Sequence, residues 1–159
     1  MRRHRQAVLG GTFDRLHAGH RALLRAAFQQ ADTVRIGLTT GAYLAAHPKP
    51  LGGRIAPYRV RRAALLQYIQ THFPGRDVRV LPLSDGLGGA VRRGPDLLVI
   101  SRETVGGARV VNLERARRGL PPLDLKIIGL VKDRRGRVLR SRRLRAAECE
   151  ASQRVRPKS

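Results

Sequence analysis

Residues Ala7 to His20, reading AVLGGTFDRLHAGH, constrain this chain more than any other stretch. Ala7-Val8-Leu9 is a short apolar run that passes directly into Gly10-Gly11, and a segment of helical apolar period opens at Ala18 and runs to about Gln30. The order is strand, tight turn, helix. Glycines leave no side chain between backbone and ligand, and the N–H groups and positive dipole end of a following helix favour an anion. The Gly10-Gly11 turn therefore reads as a phosphate site. His17 and His20 bracket Ala18-Gly19, which places both imidazoles at the mouth of that turn, with Gly19 allowing them to approach closely. Such a pair can donate hydrogen bonds to phosphate oxygens and stabilise charge that develops during transfer. Taken singly, a histidine at a helix start is a cap or a surface residue; the combination is more specific.

The remainder of the chain alternates between the same two periods. Val34 to Leu38 reads as a second strand approached by Asp32-Thr33, which makes a right-handed strand–helix–strand unit and a parallel sheet. Thr39 to about Ala56 is rich in proline and glycine, excludes regular structure and predicts a mobile flap. A helix from Pro57-Tyr58 to about Thr71 carries an apolar face of Val60, Ala63, Ala64, Leu65, Tyr68 and Ile69, and leaves Arg61 reading as a surface arginine. Asp77 to Leu81 is a third strand, followed by a glycine-rich segment to Pro95. The unbroken apolar run Leu97 to Ile100 is a central strand buried on both faces. Ser101-Arg102-Glu103-Thr104 stands at its carboxyl end, where open α/β sheets hold ligands, although Ser101 could also be a simple cap. A helix from Val105 to Arg118 stops at Gly119 with Pro121 beyond; Leu125 to Val131 is the fifth strand; Ser141 caps a last helix to about Glu150. The fold class is thus a Rossmann-like, doubly wound α/β domain over residues 1–151, with five parallel strands in the order 3-2-1-4-5. A basic tail, 152–159, is expected to be disordered.

Composition closes off several classes. The 159 residues suit one domain, and no apolar run approaches the ~20 residues that cross a bilayer, so a cytoplasmic location is expected. Cys149 is the only cysteine, which excludes an internal disulfide and makes a thiolate metal cluster implausible. Arginine far exceeds lysine and Asn112 is the only asparagine, a pattern compatible with a hot habitat. A net charge of +22 invites a nucleic-acid reading, yet aromatic content is 4% and tryptophan is absent, so stacking surface for single strands is scarce. The charge reads as an arginine-rich solvated surface: non-specific polyanion binding follows from it, specific nucleic-acid recognition does not.

GGTFDRLHAGH resembles the signature of the HxGH nucleotidyltransferases, and more closely that of the archaeal and eukaryotic type of phosphopantetheine adenylyltransferase. Ser101-Arg102-Glu103-Thr104, Gly107-Ala108, Asn112 and Gly119-Leu120-Pro121-Pro122-Leu123 extend the likeness, which spans roughly residues 6–146. The resemblance implies transfer of the adenylyl group of ATP to 4′-phosphopantetheine. It places His20, His17 and Thr12 at the reacting phosphate, and Gly10, Gly11, Gly19, Ser101, Arg102, Glu103, Ser141, Arg143 and Arg145 around ATP. Thr12, Lys49 and Arg61 are assigned to the acceptor, with Arg54 and His47 as substitutes for Lys49. Magnesium is implied as an ion bridging ATP oxygens with few or no protein ligands. In the family's S-S-T-R-I-R junction this chain has Arg140-Ser141-Arg142-Arg143-Leu144-Arg145, so that arginines replace the first serine and the threonine. Related readings keep the fold with another acceptor, such as nicotinamide mononucleotide or flavin mononucleotide, or keep it as a polyanion-binding protein without catalysis. Oligomeric state does not follow from the residues.

Overall fold

Ala7 and Leu9 turn to one side of strand β1 (His4–Gly11) and Val8 to the other, and all three are buried, as a strand covered on both faces requires. The computed structural model describes residues 4–48, 52–129, 132 and 134–137 of the chain. Helix α1 (Ala18–Gln30) leads with no intervening loop into β2 (Ala31–Thr39), whose Ala31 to Leu38 pair in parallel with His4 to Gly11. After the short helix α2 (Gly41–Ala46) come α3 (Tyr58–His72) and β3 (Asp77–Leu83), then β4 (Leu97–Ser101), α4 (Val105–Arg117) and β5 (Asp124–Ile128). All strand pairings are parallel and the order is β3-β2-β1-β4-β5, the topology expected from the sequence.

Two cores follow from the two faces. On one, Leu24 and Phe28 of α1 and Leu65 and Ile69 of α3 pack on Leu9, Val34, Ile36, Leu38, Val80, Leu97 and Val99. On the other, Ala108 and Val111 of α4, with Ala90 and Val91 of a 3-10 turn at Gly88–Val91, cover Val8, Leu98 and Ile100. The chain order reverses between β1 and β4, and this switch point opens a crevice at the carboxyl ends of the strands.

Three readings of the sequence change here. Gly10 and Gly11 are the last residues of β1, paired with Gly37 and Leu38, and the turn proper is Thr12–His17. The Thr39–Ala56 segment holds α2, because Thr40 is a helix cap whose Oγ1 accepts the N–H of Tyr43 at 3.1 Å. In α3 the buried stripe is Arg61, Leu65 and Ile69, while Val60, Ala63 and Ala64 face solvent. Leu65 and Ile69 of the expected face are thus buried, and the stripe is completed by Arg61, whose guanidinium reaches the backbone carbonyls of Thr12, Thr39 and Ala56. The expected stop of α4 holds in detail: Gly119 has φ of 68°, Gly119 N–H bonds to Ala116 O and Leu120 N–H to Arg115 O. No helix among the described residues is long and apolar enough to cross a membrane.

Ile36, fully buried in β2, tests the first core. Ile36→Ala is expected to lower stability by about 3 kcal/mol through lost transfer energy and a residual cavity. Urea unfolding reads this as a lower midpoint at unchanged slope, and a loss below about 1 kcal/mol would mean that this core collapses around the gap.

Candidate functional site

The turn after β1 is strained and tethered. Phe13 (φ 47°) and Arg15 (φ 51°) occupy the left-handed region without being glycine, which costs energy and persists only where surroundings enforce it. Phe13 is buried, and a Cβ on Gly11 would come within 3.2 Å of its ring, which would have to give way by a few tenths of an ångström. Asp14 is 1% exposed and binds Arg15 Nη1 at 2.6 Å, while its other oxygen accepts the Ala56 N–H at 3.4 Å. Arg15 also donates to Arg54 O at 2.9 Å. The turn is thus tied to the segment before α3.

Arg61 completes that tie from within. At 3% exposed it donates through Nε to Ala56 O (2.8 Å), through one Nη to Thr12 O (2.9 Å) and Thr39 Oγ1 (3.5 Å), and through the other to Thr39 O (2.8 Å). Burial pulls its pKa below the usual guanidinium value, opposed by nearby Asp14 and Tyr58. The surface reading of Arg61 does not hold: it is buried, and its donors face protein oxygens. Thr39 Oγ1 in turn donates to Thr12 Oγ1 at 3.1 Å, orienting the hydroxyl that the sequence singled out.

The two histidines form a reciprocal cap at the start of α1. His17 Nδ1 accepts the N–H groups of Gly19 (3.0 Å) and His20 (3.4 Å), and His20 Nδ1 accepts the N–H of His17 (3.5 Å). The rings stack with centroids 3.8 Å apart, and Phe13 lies 5.1 Å from the His20 ring. An Nδ1 that accepts places the ring proton on Nε2. The donors offered to an anion are therefore imidazole Nε2–H groups, whereas the Gly19 and His20 amides that the helix-terminus argument made available are already occupied. Desolvation, and then the positive charge of Arg21, hold the His17 pKa below 6.5, which favours this neutral form.

Beside the turn lies a cavity of about 350 Å³ at the carboxyl edge of the sheet. Gly10, Gly11, Thr12 and Thr39 line it near the turn, with Tyr43 and His47 of α2 and its C-cap, Leu83, Gly86, Leu87, Gly89 and Ala90, and Thr104, Ala108 and Val111. The lining is mostly apolar. His17 and His20 are not among its lining residues; they stand at the helix start, with the His20 ring against Phe13. Ser101 lies at the end of β4 with its hydroxyl 3.3 Å from Thr104 Oγ1, and Arg102 is exposed on the following 3-10 turn. Lys49, Ser141, Arg143, Arg145 and the side chain of Glu103 lie outside the described residues. Of the substitutes for Lys49, His47 lines the cavity, with Nδ1 donating to Tyr43 O at 2.9 Å, and Arg54 is exposed. Sequence reasoning passed over Asp14, Thr39 and Tyr43; Asp14 carried a signal, as a carboxylate inside a glycine-led turn, and the other two carried none.

The chain matches the cytidylyltransferase-like family over residues 8–121. A phosphopantetheine adenylyltransferase from Thermococcus gammatolerans is 40% identical over 144 residues, which cover 90% of this chain and 89% of that protein. One from Methanopyrus kandleri is 37% identical over 144 residues, covering 90% of each. Among solved structures, a protein of unknown function from Archaeoglobus fulgidus superposes with a TM-score of 0.69 at 22% identity, covering 77% of this chain and 88% of that one. A bifunctional NMN adenylyltransferase/ADP ribose pyrophosphatase from Francisella tularensis gives 0.59 at 15%, covering 91% of this chain and 41% of that one. At these identities the structural likenesses establish the fold.

The cap geometry makes a pH prediction. A histidine whose folded pKa lies below its unfolded value stabilises fully above the unfolded value, here 6.5, and that share fades as pH falls towards the folded pKa. An NMR titration should find the His17 midpoint below 6.5, with the pH dependence of unfolding over that window lost in His17→Asn. A midpoint above 6.5 would contradict the neutral cap.

Proposed function

Since this chain belongs to the cytidylyltransferase-like family and, within it, to the phosphopantetheine adenylyltransferases, we propose that it transfers the adenylyl group of ATP to 4′-phosphopantetheine, giving dephospho-coenzyme A and pyrophosphate. The observation that carries the reading is the stacked His17–His20 pair, fixed with both ring protons on Nε2 at a helix start beside a cavity at the switch point of the sheet.

An oxygen of the acceptor phosphate attacks the α-phosphorus of ATP; the new P–O bond forms as the bond to the β-phosphate bridge breaks, and pyrophosphate leaves with the electron pair. The attacking group is already an anion, so no strong base is required, and catalysis rests on alignment and on neutralising charge. His20 donates from Nε2 to an oxygen of the transferred phosphate, His17 donates beside it, and the Thr12 hydroxyl, held by Thr39, binds between the two substrates. The apolar cavity between α2 and the Gly88–Val91 turn takes the uncharged pantetheine arm. Ser101, Arg102 and Glu103 border the nucleotide, Ser141, Arg143 and Arg145 hold its terminal phosphates, and Lys49 reaches the acceptor phosphate. Arg61 acts at one remove, by fixing Thr12.

Magnesium would enter with ATP and would shield the charge of its phosphates.

The test is pyrophosphate release with ATP and magnesium, with 4′-phosphopantetheine, with nicotinamide mononucleotide and with neither. Release is expected with the first acceptor alone. His20→Ala should lower kcat about a hundredfold, on the order of 3 kcal/mol, as for a lost oxyanion donor. Equal release with nicotinamide mononucleotide would reassign the acceptor, and undiminished turnover in His20→Ala would remove His20 from the reaction.

A further inference from the structure

We infer that Arg115 is a positioning residue for the acceptor, a buried guanidinium that holds the Gly86–Ala90 wall of the cavity in the shape the pantetheine arm requires. This rests on the acceptor reading above.

Arg115 sits in the last turns of α4 and is 1% exposed. It donates through Nε to Pro121 O (2.7 Å), through one Nη to Ala90 O (2.7 Å) and Arg92 O (2.9 Å), and through the other to Pro95 O (3.5 Å). None of these partners is a carboxylate. A buried charge without a counterion is costly unless its hydrogens are satisfied, and here carbonyl dipoles take that role. Burial holds its pKa below the usual guanidinium value. A core that needed only to be filled would use an apolar side chain at this point. The presence of a guanidinium is explained by what it grips: the carbonyls at the end of the Gly88–Val91 turn, whose near face lines the cavity through Leu87, Gly89 and Ala90.

The same wall is held at its other end. Asp85 Oδ1 accepts the N–H groups of Leu87 (3.0 Å) and Gly88 (2.6 Å), bonds that lower its pKa. Gly88 has φ of 50°, and a Cβ there would fall 2.5 Å from Leu83 Cδ1, so the turn is built on a glycine at this position. A short glycine-rich strip would otherwise sample many conformations. With a carboxylate on its leading amides and a guanidinium on its trailing carbonyls, it presents one surface to the cavity. Lysine cannot replace this function, because its single nitrogen lacks the planar fork that spans several carbonyls.

The experiment compares Arg115→Lys and Arg115→Met with the wild type in steady-state adenylyl transfer. Loss of one or two net hydrogen bonds from the wall should raise KM for 4′-phosphopantetheine about tenfold. KM for ATP should stay within about twofold, and kcat should follow closely, because the histidine pair lies on another element. An unchanged acceptor KM overturns the inference, as does a parallel rise of both KM values with a fall in kcat, the pattern of general loosening. If neither variant folds, hydrogen exchange on the wild type carries the test. The Ala90 and Arg92 amides, which donate to Leu87 O and Gly89 O, should be slowed by 4′-phosphopantetheine and not by ATP alone. Equal slowing by both, or by neither, overturns it. A wild type that never releases pyrophosphate with this acceptor defeats the acceptor reading, and this inference with it; a wild type that turns over beside an Arg115→Lys of unchanged acceptor KM defeats the inference alone.

Discussion

Arg61 binds Thr12 O, Thr39 O and Ala56 O with one buried guanidinium, and so the ends of β1 and β2 and the approach to α3 keep a fixed relation. The turn above it is held in left-handed backbone at Phe13 and Arg15, a conformation it would leave if released. Release is opposed from two sides, by the Asp14–Arg15 pair that reaches the same segment before α3 and by Phe13 packed beneath Gly11. Thr12, whose carbonyl and hydroxyl are both engaged in this network, then has one orientation, and the histidines that follow start their helix at one place. The precision of the site therefore derives from a contact in the core, one layer below the reacting groups.

The parts of the molecule that were legible in the sequence are those in which local chemistry and global fold agree. The β1–α1 unit, the strand order and the Gly119 stop each satisfy a short-range rule and a packing requirement at once. The reading failed where a residue served distant partners. In α3 the counting of apolar residues found Leu65 and Ile69 but added Val60, Ala63 and Ala64, since nothing local reveals that an arginine faces inward toward Thr12, forty-nine positions earlier. The α2 helix was hidden because six residues between glycine and proline carry little periodicity, and its start depends on the Thr40 hydroxyl. The histidines were found, but as donors beside free helix amides; the reciprocal cap depends on rotamers that no motif spells out.

Arginine abundance also takes on a different sense. Arg61, Arg115 and Arg76 each direct the guanidinium at backbone carbonyls. Arg76 bonds to Phe28 O at 2.9 Å and Ala31 O at 2.7 Å while lying over the Phe28 ring, and so closes the loopless junction of α1 and β2. Part of the positive charge therefore belongs to the architecture. These side chains hold places where the backbone ends a regular element and its carbonyls need donors, a task for which the guanidinium fork is suited.

The reciprocal cap of His17 and His20 links the survival of the chemistry to that of the fold. Each ring supplies an acceptor that the other residue's backbone needs, so a change at either position removes a phosphate donor and frays the first turn of α1 together. At these two positions a single substitution therefore touches the chemistry and the fold at once, and loss of activity there cannot be read apart from loss of stability.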